Sequence, residues 1–256
     1  MKLMSWLSRG CLALWLCSAC APLDDPNGVD QLAAEIVGGV RDRDRHPAVL
    51  ALLVGDDALC TATLIAPNAV LTARHCVSRT VERILCDSAG RQVLSDLEPS
   101  TLSLRSGDEV SRSVELARGS RVLTPNTQRL CEADIAVVLL DRAVRGIAPM
   151  RVDLSSLPLR TRTMSAVGFG QRGATARARS GIRYFRERIT VLSSSTRELT
   201  GSRAVCAGDS GGPAIDPRTG SVVGVLSRGS DPCTASDATA VWTRPAVLRD
   251  VLARLL

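Results

Sequence analysis

The sequence predicts an all-β fold that ends in one short helix. Apolar runs of four to six residues are separated by turn-forming residues along most of the chain, which is the pattern of short strands. Helical spacing of apolar residues stands out only at the end of the chain. With 256 residues, 45% of them hydrophobic, the chain can enclose a sizeable core in one large domain or two small ones. Aromatic residues make up only 2%, so aliphatic side chains must fill that core.

Seven runs carry the strand prediction. Each is short and largely apolar, and turn residues or charges separate one run from the next, as expected for strands that are half or fully buried. In chain order they are 49–54, 61–65, 135–140, 164–167, 189–192, 222–226 and 240–243. The segment 77–130 is long and polar, and we expect it to carry surface loops.

The last residues predict a C-terminal helix. Pro245 suits the first turn of a helix, and the apolar positions that follow it repeat with helical spacing. These positions are 247, 248, 251, 252 and 255. We therefore expect a helix over 245–256.

The first 20 residues predict an export signal. Lys2 and Arg9 supply positive charge, residues 11–16 are apolar, and small residues follow up to Cys20. This order is typical of a signal peptide, and the apolar part is too short to span a membrane. The end of the segment also resembles a bacterial lipoprotein box with Cys20 as the acylated residue. Plain secretion and a membrane tether through Cys20 are both open.

Residues 21–35 are acidic and contain Pro and Gly. A segment this short and polar has no core of its own, and we expect a propeptide or a linker.

The charge pattern gives no reason to expect a nucleic-acid partner. The net charge is +6, but the basic residues are scattered along the chain and are not grouped. Solvated faces explain such a distribution better than a nucleic-acid surface does.

The cysteine count indicates disulfides. Nine cysteines occur, three of them in the leader, so an even number is left for the exported part, which favours disulfide pairs. A zinc site is the competing interpretation, but no CxxC pair occurs beyond residue 20. The sequence by itself does not choose among the pairings.

The run Gly-Asp-Ser-Gly-Gly-Pro at 208–213 predicts a nucleophilic serine. A serine attacks a carbonyl only when a base removes its proton and donors stabilise the oxyanion. Glycines on both sides of Ser210 let the backbone turn tightly and bring bare N–H groups close to a substrate.

Two histidines could act as the base. His46 precedes a proline and a strand-like run, so we expect it to be structural or solvated. His75 lies just after a predicted strand and is the better candidate. Asp134 heads an apolar run, where a carboxylate needs a partner, so it could orient the imidazole of His75. The alternatives are a core His75 and a solvated Asp134, but the serine motif favours the catalytic interpretation.

Seven motifs occur in a recognisable order. They are Thr-Ala-Arg-His-Cys at 72–76, Asp-Ile-Ala at 134–136 and Gly-Asp-Ser-Gly-Gly-Pro at 208–213, with Ile-Val-Gly-Gly at 36–39, Gly-Phe-Gly at 168–170, Ser-Arg-Gly at 227–229 and Val-Trp-Thr-Arg-Pro at 241–245. They resemble the motifs of trypsin/chymotrypsin-type serine peptidases, which also have the order His, Asp, Ser.

This resemblance implies a fold. A peptidase domain over 36–256 would contain two six-stranded antiparallel β-barrels, the first over about 36–145 and the second over about 146–244, followed by the helix. The active site would lie in the cleft between the barrels. The resemblance also implies a secreted or lipid-anchored endopeptidase that acts on protein or peptide substrates and needs no cofactor or metal.

The resemblance assigns a role to each candidate residue. His75, Asp134 and Ser210 would form the catalytic triad, with the N–H groups of Gly208 and Ser210 as the oxyanion hole. The specificity pocket would be formed by Ala204, Val205, Ser227, Gly229 and Ala240. No charge lines this pocket and Val205 narrows its base, so we expect cleavage after small or medium apolar residues.

The resemblance also implies disulfide pairing. It pairs Cys60 with Cys76 and Cys206 with Cys233, which leaves Cys86 with Cys131.

Activation is expected to require a cut between Glu35 and Ile36. In the family the new ammonium group pairs with the aspartate that corresponds to Asp209. A glutamate before the cut is unusual, so we expect an activating protease that is not tryptic.

Two residues depart from the family pattern. Arg74 replaces an alanine beside His75, and Arg228 replaces an aromatic residue between Ser227 and Gly229. Either Arg228 favours acidic substrate residues, or both guanidinium groups point into solvent. Two other functions stay open: a non-catalytic binding protein on the same fold, and an esterase.

Overall fold

The computed structural model describes residues 38–55, 58–82, 84–87, 90–159, 161–171 and 181–256. The predicted export signal with Cys20, the linker, and the cut between Glu35 and Ile36 lie outside these residues. In the described part, no helix is long and apolar enough to cross a membrane.

The described residues form β-strands, short 3-10 turns and one α-helix. The strands are β1 Val40–Arg41, β2 Val49–Val54, β3 Ala58–Ala66, β4 Ala69–Thr72, β5 Ser78–Thr80, β6 Val93–Asp96, β7 Leu102–Ser106, β8 Val114–Leu123, β9 Ala136–Leu140, β10 Thr163–Gly168, β11 Tyr184–Ser194, β12 Glu198–Ser202, β13 Pro213–Ile215, β14 Val222–Gly229 and β15 Thr239–Thr243. The 3-10 turns are Arg74–Cys76, Pro99–Thr101, Val110–Arg112 and Pro245–Leu248, and helix α1 is Arg249–Leu252. Each of the seven predicted runs falls on a strand.

The first barrel is closed and antiparallel, with the strand order β2-β3-β4-β9-β8-β7. Its interior is filled by aliphatic side chains that are at most 1% exposed; these include Leu50, Leu52, Leu64, Leu71, Leu102 and Leu104. Each such side chain stabilises the fold by about 1.5–3 kcal/mol relative to leaving it exposed. Aliphatic residues therefore fill this core, as the composition predicts.

The second barrel is built from the sheet β1-β11-β10-β13-β14-β15-β12, and it closes because β12 also pairs with β11. Trp242 is fully buried among Met164, Ile189 and Leu199. With β1 as an appended edge strand, six strands close each barrel. The prediction of an all-β fold with two six-stranded barrels is confirmed.

Two predictions about strands need correction. The polar segment 77–130 contains β7 and β8, two strands of the first barrel. In β8 the buried Ala117 alternates with polar side chains such as Arg118 that face solvent, so the segment looks like a loop in the sequence. Strand β1 lies in the stretch assigned to the first barrel, yet Val40 pairs with Phe185 of the second.

The C-terminal helix is present but shorter than expected. A 3-10 turn covers Pro245–Leu248 and the α-helix covers only Arg249–Leu252. Leu252 is buried against the first barrel's core, whereas Leu256 is 55% exposed. The packing of Leu252 holds one helical turn in place. A helix this short has little stability of its own, so it does not continue beyond that turn.

Three disulfides are present in the described residues, with the pairing that the resemblance implies: Cys60 with Cys76, Cys86 with Cys131, and Cys206 with Cys233. The first fastens the turn that carries His75 to β3, and the second fastens the segment that leads to Asp134. Each could stabilise the fold by about 2–4 kcal/mol.

Candidate active site

Strand pairing brings His75 and Asp134 together. Strand β4 ends at Thr72, and the turn Arg74–Cys76 follows directly. Asp134 comes just before β9, and β9 pairs with β4 so that Ala136 lies opposite Thr72. Two segments that are far apart in the sequence therefore leave the same end of the first barrel side by side.

His75 is held by Asp134 at two points. The backbone N–H of His75 donates to Oδ1 of Asp134 at 2.9 Å, and the ring nitrogen Nδ1 lies 2.7 Å from Oδ2. The hydroxyl of Ser227 donates to the same Oδ2 at 2.7 Å. Asp134 is only 2% exposed. Because Nδ1 is occupied, Nε2 is the ring nitrogen that is available for proton exchange.

This environment lowers the pKa of Asp134 and raises the pKa of His75. Burial raises the pKa of Asp134, but the charge of His75 and the three hydrogen bonds outweigh it, and the net pKa lies below the usual 3.8. Burial lowers the pKa of His75, but the charge of Asp134 and their hydrogen bond outweigh it, and the net pKa lies above the usual 6.5. Asp134 is therefore ionised at neutral pH, and it makes His75 a stronger base.

The turn that carries Ser210 is fixed to both barrels. The backbone N–H of Thr61 in β3 donates to the carbonyl oxygen of Ser210 at 2.8 Å, and the N–H of Gly211 donates to the carbonyl of Leu226 in β14 at 2.9 Å. Gly211 has φ +83°, and a Cβ there would lie 2.2 Å from the carbonyl oxygen of Thr61. Only glycine fits at this contact between the barrels.

Ser210 lies beside the His75 turn. Its carbonyl oxygen is 3.7 Å from Sγ of Cys76, the residue that follows His75. The described residues include no hydrogen bond between the Ser210 hydroxyl and the imidazole; in free enzymes this contact is often long and tightens when substrate binds. The structure thus brings the three predicted residues to one junction.

Gly208 has φ +95°, and a Cβ there would lie 2.9 Å from Cα of Gly170. Its carbonyl oxygen accepts a hydrogen bond from the Thr61 hydroxyl at 3.1 Å. The N–H of Gly208, where the resemblance expects an oxyanion donor, belongs to the preceding peptide, whose carbonyl oxygen on Ala207 accepts from the N–H of Gln171 at 2.7 Å.

Asp209 is buried directly behind the serine. Its Oδ1 accepts from the N–H of Gly170 at 2.8 Å and its Oδ2 from the N–H of Cys206 at 3.0 Å. Burial raises the pKa of Asp209 to about 7, although both hydrogen bonds oppose the change. Among the described residues, only backbone donors contact this carboxyl group.

A cavity of about 410 Å³ opens beside Ser210. It is lined by Gln171, Val205, Cys206, Ala207, Ser210, Leu226, Arg228, Gly229, Ser230, Asp231 and Cys233. Of the predicted pocket residues, Val205 and Gly229 line it. Ala204 and Ala240 do not, because both are 1% exposed and belong to the core of the second barrel.

The prediction of an uncharged pocket is also wrong, because Arg228 and Asp231 lie at its surface. Asp231 is exposed and lies in the loop after β14. The sequence motifs do not show the path of this loop, so they do not place Asp231 at the cavity. The charges lie in and just after the Ser227–Gly229 motif, whereas Val205, which packs beside Gly229, is apolar.

A second cavity of about 370 Å³ contains His75, Asp134 and Ser227. Its other lining residues are mixed: they include the apolar Val81, Ile84 and Leu130 and the charged Glu82, and Arg228 and Gly229 line both cavities. Ser227, which was predicted in the specificity pocket, belongs to this second cavity.

Arg74 does not point into solvent. It is 4% exposed, and its Nη1 donates to the carbonyl oxygens of Pro125 and Thr127, whereas its Nε is buried without a hydrogen-bond partner. Burial lowers its pKa, and the charges of Asp96 and Asp134 oppose that shift. Arg74 therefore anchors the loop that leads to Asp134.

His46 has a structural role, as expected. Its ring and backbone N–H contact Asp42, a fully buried carboxylate that also accepts from Arg183 at 2.8 Å. Arg183 is itself fully buried and also pairs with Asp44 and Asp108 at 2.8 Å. This network fastens the start of the described chain to the second barrel.

The grouping of His75 with Cys60 and Cys76 is not a metal site. Their potential ligand atoms lie within 4.8 Å of one another, but both sulfur atoms belong to one disulfide and have no thiolate to offer.

A two-barrel fold with His, Asp and Ser at the junction of the barrels defines a chymotrypsin-like peptidase. Residues 36–252 match the family model described as Trypsin, and the chain belongs to the trypsin family. The family and its relatives identify a serine endopeptidase, as predicted.

Two relatives illustrate how far the sequences of the family diverge from this chain. Cercarial protease of Schistosoma mansoni is 29% identical, over 72% of this chain and 77% of the relative. The thrombin-like enzyme leucurobin of Bothrops leucurus is 29% identical, over 82% and 91%. Neither organism is a bacterium, so these relatives give no support to the bacterial origin that the leader suggests.

Solved structures share the fold. Mouse neuropsin, a serine protease, superposes with a TM-score of 0.62 at 19% identity, over 84% of this chain and 97% of that one. A scabies mite inactivated protease paralogue gives a TM-score of 0.67 at 16% identity, over 86% and 99%.

Proposed function

We propose that His75, Asp134 and Ser210 form a catalytic triad that hydrolyses peptide bonds. The observation that carries this proposal is the two-point contact of His75 with a buried Asp134, next to a serine turn that is fixed to both barrels. Nε2 of His75 takes the proton of Ser210, whose Oγ attacks the scissile carbonyl. The imidazolium then gives the proton to the leaving amine, and water repeats the sequence on the acyl-enzyme.

The oxyanion would be stabilised by the N–H groups of Gly208 and Ser210. The positive φ of Gly208 and the hydrogen bond from the N–H of Gln171 to the carbonyl oxygen of Ala207, in the peptide that carries the Gly208 N–H, support this assignment. Loss of one such donor typically raises the barrier by about 2.7–4 kcal/mol.

The cavity beside Ser210 would take a small or medium apolar P1 side chain. Cγ2 of Val205 lies 3.5 Å from the point where a Cβ on Gly229 would stand, so the valine takes up space next to the glycine. Arg228 is neutralised by Glu198 at 2.7 Å, and Asp231 is exposed. A guanidinium group deep in the cavity would lose hydration without gaining a buried partner.

Replacing Val205 by glycine is expected to enlarge this cavity. The ratio of kcat/KM for a Phe substrate over an Ala substrate should rise about 10-fold, because one or two methylene groups of pocket space are worth about 1–3 kcal/mol. Steady-state kinetics on a matched peptide series would measure the ratio. A wild-type enzyme that cleaves only after Arg or Lys would overturn this assignment.

Activation is proposed to follow a cut between Glu35 and Ile36, which would bring an ammonium group to Asp209. The raised pKa of Asp209 and its lack of a cation among the described residues support this idea. The activating protease would have to accept glutamate.

Export of the chain is proposed from its leader, and one relative is described as a snake venom serine protease. Acylation at Cys20 would add a membrane tether at the cell envelope; without it the protein would be secreted. The disulfides suit either location.

Parallel assays on peptides and on the corresponding esters would test the reaction. We expect the cut protein to hydrolyse both, with sustained turnover of the peptides. Turnover of esters alone would identify an esterase. The inactivated mite paralogue shows that this fold also occurs without activity, so binding of peptides without hydrolysis would identify a non-catalytic binding protein.

A further inference from the structure

Arg228 lines both cavities of the candidate active site. It follows Ser227, which donates to Asp134, and it lines both the cavity beside Ser210 and the cavity that contains His75. A free guanidinium group there would present a positive charge to any substrate that crosses the site.

The guanidinium group is not free. Its Nη1 and Nη2 donate to the two carboxylate oxygens of Glu198 at 2.7 and 2.9 Å. The side chains of Arg228 and Glu198 are 35% and 18% exposed. A two-point pair of this kind fixes the plane of the guanidinium group and cancels its charge.

Glu198 also reaches across to the first barrel. Its Oε1 accepts a hydrogen bond from the backbone N–H of Glu132 at 2.9 Å, two residues before Asp134. The carboxylate of Glu198 on β12 therefore binds both the Arg228 side chain in the cleft and the backbone of the segment that leads to Asp134.

We propose that Glu198 is a specificity-determining residue: by holding Arg228 in a two-point ion pair, it keeps the wall shared by the two cavities neutral. Substrates with uncharged side chains in the residues that precede P1 are then accepted, and acidic residues there are not selected. This inference rests on the proposed triad for its location, and it concerns the choice of substrate.

The proposal predicts that Glu198→Gln creates a preference for acidic residues. Glutamine keeps an oxygen for the N–H of Glu132 but cannot neutralise Arg228. The ratio of kcat/KM for peptides with Glu over Gln, at one of the three positions before P1, should rise about 10-fold, as expected for one half-buried charge pair. A peptide library in which these positions vary would identify the position.

Three further variants, the last of them a control, also have defined expected results. Arg228→Gln leaves Glu198 unpaired and should shift the preference toward Lys or Arg. The double variant E198Q/R228Q should return to the wild-type profile. Glu187→Gln changes the net charge equally at an exposed site on β11 and should leave the profile unchanged.

Binding measurements separate this inference from the proposed reaction. Each variant is also made in a Ser210→Ala background, and the Kd values of the Glu and Gln peptides are measured by calorimetry. The same shift in the Kd ratio would support the inference even if the wild type hydrolyses nothing. An unchanged ratio in both E198Q and R228Q, a wild type that already selects acidic residues, or peptides that do not bind would overturn it.

Discussion

Replacing Ser210 by alanine is expected to lower kcat for peptide hydrolysis on the order of 10⁶-fold, because triad members act as one unit and loss of the nucleophile removes the covalent path. Residual turnover would come from binding and oxyanion stabilisation alone. Initial rates on a cleavable peptide, measured with protein cut before Ile36, would give the ratio.

Covalent labelling would identify the nucleophile directly. A serine-directed phosphonate should form one adduct on the wild-type protein, located at Ser210 by peptide mass. The Ser210→Ala protein should remain unlabelled, whereas Ser236→Ala, a change at an exposed serine, should be labelled normally. Labelling that persists in Ser210→Ala would exclude this residue as the nucleophile.

The elements that the sequence predicts well are those whose signal is local. Runs such as 222–226 are apolar throughout because both faces of the strand are buried, so they stand out in any window. Strand β8 is hidden because its outward face carries charges such as Arg118. Irregularities in its pairing with β7 and β9 also interrupt the alternation of buried and exposed residues. A half-buried strand is recognised from its sequence when apolar and polar residues alternate regularly, and in β8 that alternation is broken.

The candidate site also contains residues that local motifs predict and residues whose contacts the sequence does not reveal. His75 and Asp134 can be predicted because each sits in a short motif at a strand end, and the pairing of β4 with β9 brings them together. The side-chain positions of Arg74 and Arg228 cannot be predicted, because a long flexible side chain takes the conformation that its hydrogen-bond partners require. Those partners are the carbonyls near 125–127 and the carboxylate of Glu198. Nothing in the sequence around Glu198 signals that contact.

The second large effect is expected at Asp209. In the uncut chain burial raises the pKa of this carboxyl group to about 7, against 3.8 in the unfolded chain. Between these values the folded protein keeps a proton that the unfolded chain has released, so stability should fall as pH rises across this window. Over about three pH units the loss would be on the order of 4 kcal/mol.

Cutting before Ile36 should remove this dependence. If the new ammonium group pairs with Asp209, the carboxylate is stabilised and its pKa drops, so the folded protein no longer holds the extra proton above pH 4. Urea unfolding at pH 4.5, 6 and 8 would measure the slopes in a Ser210→Ala background that prevents self-digestion. Replacing residues 31–35 by the recognition sequence of a site-specific protease gives both forms of the chain.

Asp209→Asn connects the stability effect to activity. The uncut variant should lose the stability slope between pH 4 and 7, because the titrating group is gone. The cut variant should lose about 10²–10³-fold in kcat, comparable to the loss of one oxyanion donor, since the ammonium group has no carboxylate to hold it and the Gly208 turn is no longer fixed from behind. Asp237→Asn, at an exposed position, should change neither property. Full activity in cut Asp209→Asn, or active wild-type protein that does not begin at Ile36, would show that the serine turn is organised by another route.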